Sequence, residues 1–94
     1  MKLVSITKAT DGKHKYQAVF DIDGRKKTTK FGQAGAEDFT IHKDEQRKEN
    51  YISRHKSREN WSDPTSAGAL SKFILWNKPT LRASISDYKK HFNF

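Results

Sequence analysis

The sequence predicts a single small α+β domain, a three-stranded antiparallel meander followed by about three helices. Three observations carry that expectation. Apolar residues alternate between glycine-containing turns over the first 32 positions. The densest apolar run, Leu70-Ser-Lys-Phe-Ile-Leu-Trp-Asn-Lys-Pro79, covers one helix face and part of the next, and Pro79 stops it. Leu81, Ile85, Tyr88 and Phe92 then recur at i, i+4, i+7 and i+11, on one side of a second helix. Only 33% of the 94 residues are apolar, and the mean hydropathy is -0.99. Six Phe, three Tyr and two Trp compensate by burying large areas each, which predicts a thin two-layer core.

The first strand spans Lys2–Lys8, with Val4 and Ile6 alternating against Ser5 and Thr7. Ala9–Lys13 is turn chemistry, with Gly12 in the left-handed position of a three-residue loop. That loop sets Ile6 opposite Tyr16 and Val4 opposite Ala18, so the apolar faces coincide. Tyr16, Ala18, Phe20 and Ile22 line one face of the central strand, Lys15–Ile22. Asp23-Gly24 is a two-residue hairpin signal that pairs Tyr16 with Phe31, Ala18 with Thr29, Phe20 with Lys27 and Asp21 with Lys26. The third strand, Arg25–Lys30, is a cationic edge, and Gly32–Gly35 turns the chain away from the sheet.

A charged helical segment occupies 37–58. A first turn at Glu37–Ile41 is anchored by Phe39 and Ile41, and a longer helix capped by Asp44 or Thr40 runs to about Arg58. Tyr51 and Ile52 are its buried positions. Trp61 folds back onto the core, and Asp63-Pro64 or Ser66 starts the core helix over 64–77. Gly68 inside it costs about 1 kcal/mol relative to Ala, so another element packs closely there. Thr80 caps the last helix, 80–92.

The net charge of +8 points to polyanionic partners, nucleic acid before acidic proteins. Its distribution says where. Met1–Glu37 carries eight Lys/Arg and four acids, Asp38–Asp63 six of each, and the remainder five and one. The candidate nucleic-acid contacts are Arg25, Lys26, Lys27 and Lys30 on the edge strand, with Arg47, Arg54, His55 and Arg58 along the middle helix. Arg82, Lys89 and Lys90 on the final helix complete the set. Each group has a purely structural reading as well: edge protection, a solvated salt-bridged helix, and cations favouring a helix C-terminus.

The chain contains no cysteine, so disulfides, thiolate metal sites and cysteine nucleophiles are excluded. No dinucleotide or P-loop glycine pattern occurs, and no cofactor is expected. Nothing resembles a serine-protease triad. His42 and His55 lie beside acids, which leaves a metal-dependent nuclease as a third reading. No run reaches the roughly 18 apolar residues of a membrane span, and no signal-peptide core is present, so an intracellular, non-membrane protein is expected.

Lys30-Phe-Gly32, Asp38-Phe-Thr-Ile-His-Lys-Asp44, Tyr51-Ile-Ser-Arg-His55, Glu59-Asn-Trp-Ser-Asp-Pro64 and the Leu70–Pro79 run together resemble a family of small, basic, uncharacterised proteins of large DNA viruses infecting algae and protists. The likeness covers residues 14 to 92. It implies a viral origin, in host cytoplasm or nucleus or packaged in the virion, and supplies no catalytic residues. The expected function is non-enzymatic binding of nucleic acid, duplex DNA first, through phosphate contacts. The alternative is a minor capsid or core component that meets acidic viral proteins.

Overall fold

A computed structural model describes residues 1–94. Strands β1 (Lys2–Lys8), β2 (His14–Ile22) and β3 (Arg25–Gln33) form an antiparallel meander in the order β1-β2-β3. The helices α1 (Phe39–His42), α2 (Glu45–His55), α3 (Ala67–Leu70) and α4 (Leu81–Phe92) follow, and a π-helical turn at Ser71–Leu75 extends α3. The α+β class is as the sequence predicts.

The β2–β3 hairpin follows local chemistry. Asp23 and Gly24 take φ of 53° and 83°, the positive values a two-residue hairpin turn requires. Tyr16 pairs with Phe31, Ala18 with Thr29, Phe20 with Lys27 and Asp21 with Lys26, as expected. β3 outruns its expected end and continues to Gln33, which pairs with His14. Gly32 permits this with φ of 75°, bending the strand so that a Cβ there would lie 2.7 Å from Leu75 Cδ1.

β1 departs from expectation twice. Ile6 pairs with Ala18 and Lys8 with Tyr16, so the connection is longer than three residues. The Asp11 carboxylate explains the length, because it accepts from the backbone N–H groups of Lys13 and His14 and satisfies a wide loop. A bulge between Leu3 and Ser5 then turns Val4 outward, 51% exposed, and points Leu3 at the core. Leu3 and Ile6 are three apart and would face opposite ways in a regular strand. The bulge lets both pack inward.

Ala18, Phe20 and Phe31 from the sheet meet Ala69, Leu70, Phe73, Ile74, Leu75 and Tyr88 from the helices in one core. The core helix is shorter than the 64–77 expected. Ser66 caps it, its hydroxyl accepting from Ala69 N–H at 3.1 Å, and one α turn gives way to the π turn closed by Trp76 N–H to Ser71 C=O. The wider turn buries three consecutive side chains, Phe73, Ile74 and Leu75. Trp76, the last large residue of the apolar run, is only partly buried and packs on the flank of this core cluster. Gly68 is closely approached, as its position suggests: a Cβ there would lie 2.8 Å from Glu59 Oε2.

The segment before α3 ties three elements together. Thr65 Oγ1 accepts from Lys27 Nζ (2.9 Å), Thr65 C=O accepts from Thr29 Oγ1 (2.7 Å), and Pro64 C=O accepts from Tyr88 OH (2.6 Å). Thr80 caps α4 through Ala83 N–H, and Leu81, Ile85, Tyr88 and Phe92 face the core as predicted. Phe39 anchors α1, whereas Ile41 is 59% exposed and anchors nothing. α2 ends at His55, short of Arg58, with Tyr51 its buried residue.

Candidate nucleic-acid interface

α2 positions the first cationic surface. Asp44 caps it by accepting from Gln46 and Arg47 N–H, and Tyr51 locks it to the core flank. Tyr51 lies between two rings, Trp76 at 4.4 Å and nearly parallel, and His55 at 4.2 Å. Burial pushes the Tyr51 hydroxyl up to about 12. His42 meets Trp76 at 5.4 Å, so the two histidines stand at opposite ends of a ring column with Tyr51 and Trp76 between them. They therefore do not meet at one centre, and nowhere do three His, Asp or Glu side chains converge as metal ligands would.

Beside that column runs an open groove of about 580 Å³, lined by Arg47, Asn50, Ser53, Arg54 and the Trp76 ring. Arg47 and Arg54 are seven residues apart, about two helical turns, and share this side of α2. No acid lines the groove. Arg47 is steered by Glu37, whose carboxylate accepts from Nη1 at 2.6 Å and is held below the usual carboxylate range by that bond. Arg54 forms no ion pair.

His55, expected among the same contacts, instead faces a separate cleft of about 370 Å³ between α2 and the Gly32 end of the sheet. Its Nδ1 pairs with Glu59 Oε1 at 3.0 Å, and Glu59 also accepts from Trp61 Nε1–H. Asp38, Glu37 and Glu59 line this cleft, and the half-buried Lys15 is paired to the buried Asp38. Three acids make it a poor seat for phosphate.

The second cationic surface is the sheet. Its helices all pack against the face of Ala18, Phe20 and Phe31, and the opposite face is uncovered. Across that open face Gln17 stands between Thr7 and Lys30, and Val19 between Ser5 and Thr28. Asp21 stands between Lys2 and Lys26. Lys26 Nζ donates to the Asp21 carboxylate (3.1 Å), which that bond lowers below its ordinary value, and Lys30 lies 3.8 Å from Asp11.

The predicted edge is therefore divided. Lys26 and Lys30 point to the open face, while Arg25 and Lys27 stand on the helix side, where Lys27 binds Thr65. The final helix is not joined to this edge: Lys89 sits over β1, at the other side of the sheet. Arg25, Arg58, Arg82, Lys89 and Lys90 carry no acid partner, and they lie on three separate segments: β3, the turn after α2, and α4. Counting charge along the chain does not single out Asn50 and Ser53, which line the α2 groove with the two arginines, or Gln17 and Thr28, which share the open sheet face with Lys26 and Lys30.

Residues 4–55 match a family of unknown function (DUF5754), and because that match takes in more than half of the chain, the protein belongs to this family. The matched residues include most of the meander and all of α2, the two elements that carry the cationic surfaces. No curated protein and no solved structure matches the chain.

Proposed function

We propose that this is a non-enzymatic nucleic-acid-binding protein of a large DNA virus, holding duplex DNA mainly through phosphate contacts. The observation that carries the proposal is the α2 groove. Two guanidinium groups, an amide and a hydroxyl line it; Arg54 has no acid partner, and Arg47 is engaged by Glu37, which is not among the lining residues. Guanidinium groups bind phosphate oxygens bidentately, and the amide and hydroxyl add neutral hydrogen bonds along the same track. The overall charge of +8 favours the encounter at long range. The viral assignment rests on the sequence resemblance.

Fluorescence anisotropy with a labelled duplex at two salt concentrations tests this reading. With about four phosphates contacted, affinity falls by roughly 100-fold between 50 and 200 mM salt. Arg47→Ala with Arg54→Ala weakens binding across all sequences and lowers the salt slope by about 2. Absence of binding at the lower salt overturns the proposal.

A further inference from the structure

The sheet has a face that no helix covers. The three lysines Lys2, Lys26 and Lys30 share it with two acids, Asp21, which Lys26 engages, and Asp11, 3.8 Å from Lys30. Inside that frame the side chains of Gln17, Val19 and Thr28 are short to medium, uncharged and able to approach a partner closely. Val19 is at the centre of the middle strand, between Ser5 and Thr28, and Gln17 stands one row along, with Lys30 directly across from it. Lysines at two corners of one end and one corner of the other match a polyanion whose charges flank an uncharged floor.

We infer that this open sheet face enters the major groove of duplex DNA, with Gln17 and Thr28 meeting base edges and Lys2, Lys26 and Lys30 meeting the flanking phosphates. The inference rests on the nucleic-acid reading above and names a second surface for it. Three strands spaced about 4.8 Å apart set the axes of the outer strands roughly 10 Å apart. The minor groove, about 6 Å wide, excludes such a sheet, whereas the major groove, about 12 Å wide, takes a two-stranded ribbon, here the β2–β3 hairpin that carries Gln17, Thr28, Lys26 and Lys30. A glutamine amide presents the paired donor and acceptor that adenine displays in that groove, and Val19 adds an apolar surface suited to a thymine methyl. Phosphate contacts position the sheet, and base contacts give it a sequence preference that the α2 groove alone does not confer.

Nitrogen-15 NMR titration of the full chain with a short DNA duplex and with an RNA duplex of the same sequence separates the outcomes. Perturbed amide and side-chain signals of Gln17, Val19 and Thr28, with at least tenfold weaker binding of the RNA, are expected, because the A-form major groove is too deep and narrow for a sheet. Methyl green, which occupies the major groove, displaces the protein, and netropsin in the minor groove does not. The substitutions Gln17→Glu, at a half-buried position, and Thr28→Glu, at an exposed one, lower DNA affinity tenfold or more while leaving the melting temperature within a few degrees. DNA binding that persists with signals confined to Arg47 and Arg54, or that is equal for both duplexes, overturns the sheet-face inference and leaves the function standing. No binding to either duplex at low salt overturns both.

Discussion

The two faces of the meander are built from the same strands yet do opposite work. On one face Ala18, Phe20 and Phe31 are fully or almost fully buried against Leu70, Ile74 and Tyr88. One residue along each strand, Gln17, Val19, Thr28 and Lys30 look away from every helix. The difference teaches how a chain with one-third apolar residues can fold on one face of a sheet and keep the other free of helices. Period-two alternation lets one strand contribute to stability through its even positions and to a surface through its odd ones. Changes on the first face are therefore expected to unfold the protein, and changes on the second to alter binding alone.

The largest expected effect lies on the buried face. Phe20→Ala removes a fully buried ring that touches both the helices and Phe94, and should cost about 3–5 kcal/mol by chemical denaturation. A loss well under 1 kcal/mol would break the comparison, because it would mean that the helices do not depend on the sheet. Gly32→Ala comes next. It combines a left-handed φ of 75° with a Cβ 2.7 Å from Leu75 Cδ1, for about 2 kcal/mol in the same assay.

Asp44→Ala is smaller in stability, about 1 kcal/mol, since it removes the acceptor for two N–H groups at the start of α2. It sharpens the comparison differently. The first turn of α2 carries Arg47, so fraying it should weaken DNA binding without touching either face of the sheet. The last effect is absent at neutral pH. The unfolded chain releases the Tyr51 proton near pH 10, whereas the folded chain holds it until about 12. Stability from this group is therefore fully present below pH 10 and lost as pH rises to 12. Tyr51→Phe should flatten part of that decline in melting temperature, and an unchanged slope would place the ring in a wetter setting than the Tyr51–Trp76 stack implies.

How much of this was legible depends on the range of the interactions. The β2–β3 register could be read from Asp23-Gly24 because a two-residue turn leaves the pairing no freedom. The β1–β2 register could not. Its loop is set by the Asp11 carboxylate, and its bulge by the need to turn both Leu3 and Ile6 onto a core supplied by residues 69–88. Helix caps at Asp44, Ser66 and Thr80 were readable from residue type and position, with Asp44 and Ser66 each one of two candidates for its helix. The π turn was not, since it answers to three adjacent apolar residues meeting one curved sheet. Among the candidate contacts, helical spacing put Arg47, Arg54 and His55 on one stripe; Arg47 and Arg54 line one groove, whereas Glu59 draws His55 into another cleft.

Local chemistry in the sequence thus determined the class of the fold, the central hairpin, the caps and the total charge, because each depends on neighbours within a few residues. Only the tertiary structure decided which cations share a surface. Lys26 and Lys30 face outward and Arg25 and Lys27 inward by strand parity. Lys89 falls at the far edge of the sheet, and Arg54 reaches a groove walled by Trp76, twenty-two residues later in the chain. Those placements follow from where the Leu70–Leu75 segment docks on the sheet, a long-range contact that no stretch of the sequence states by itself.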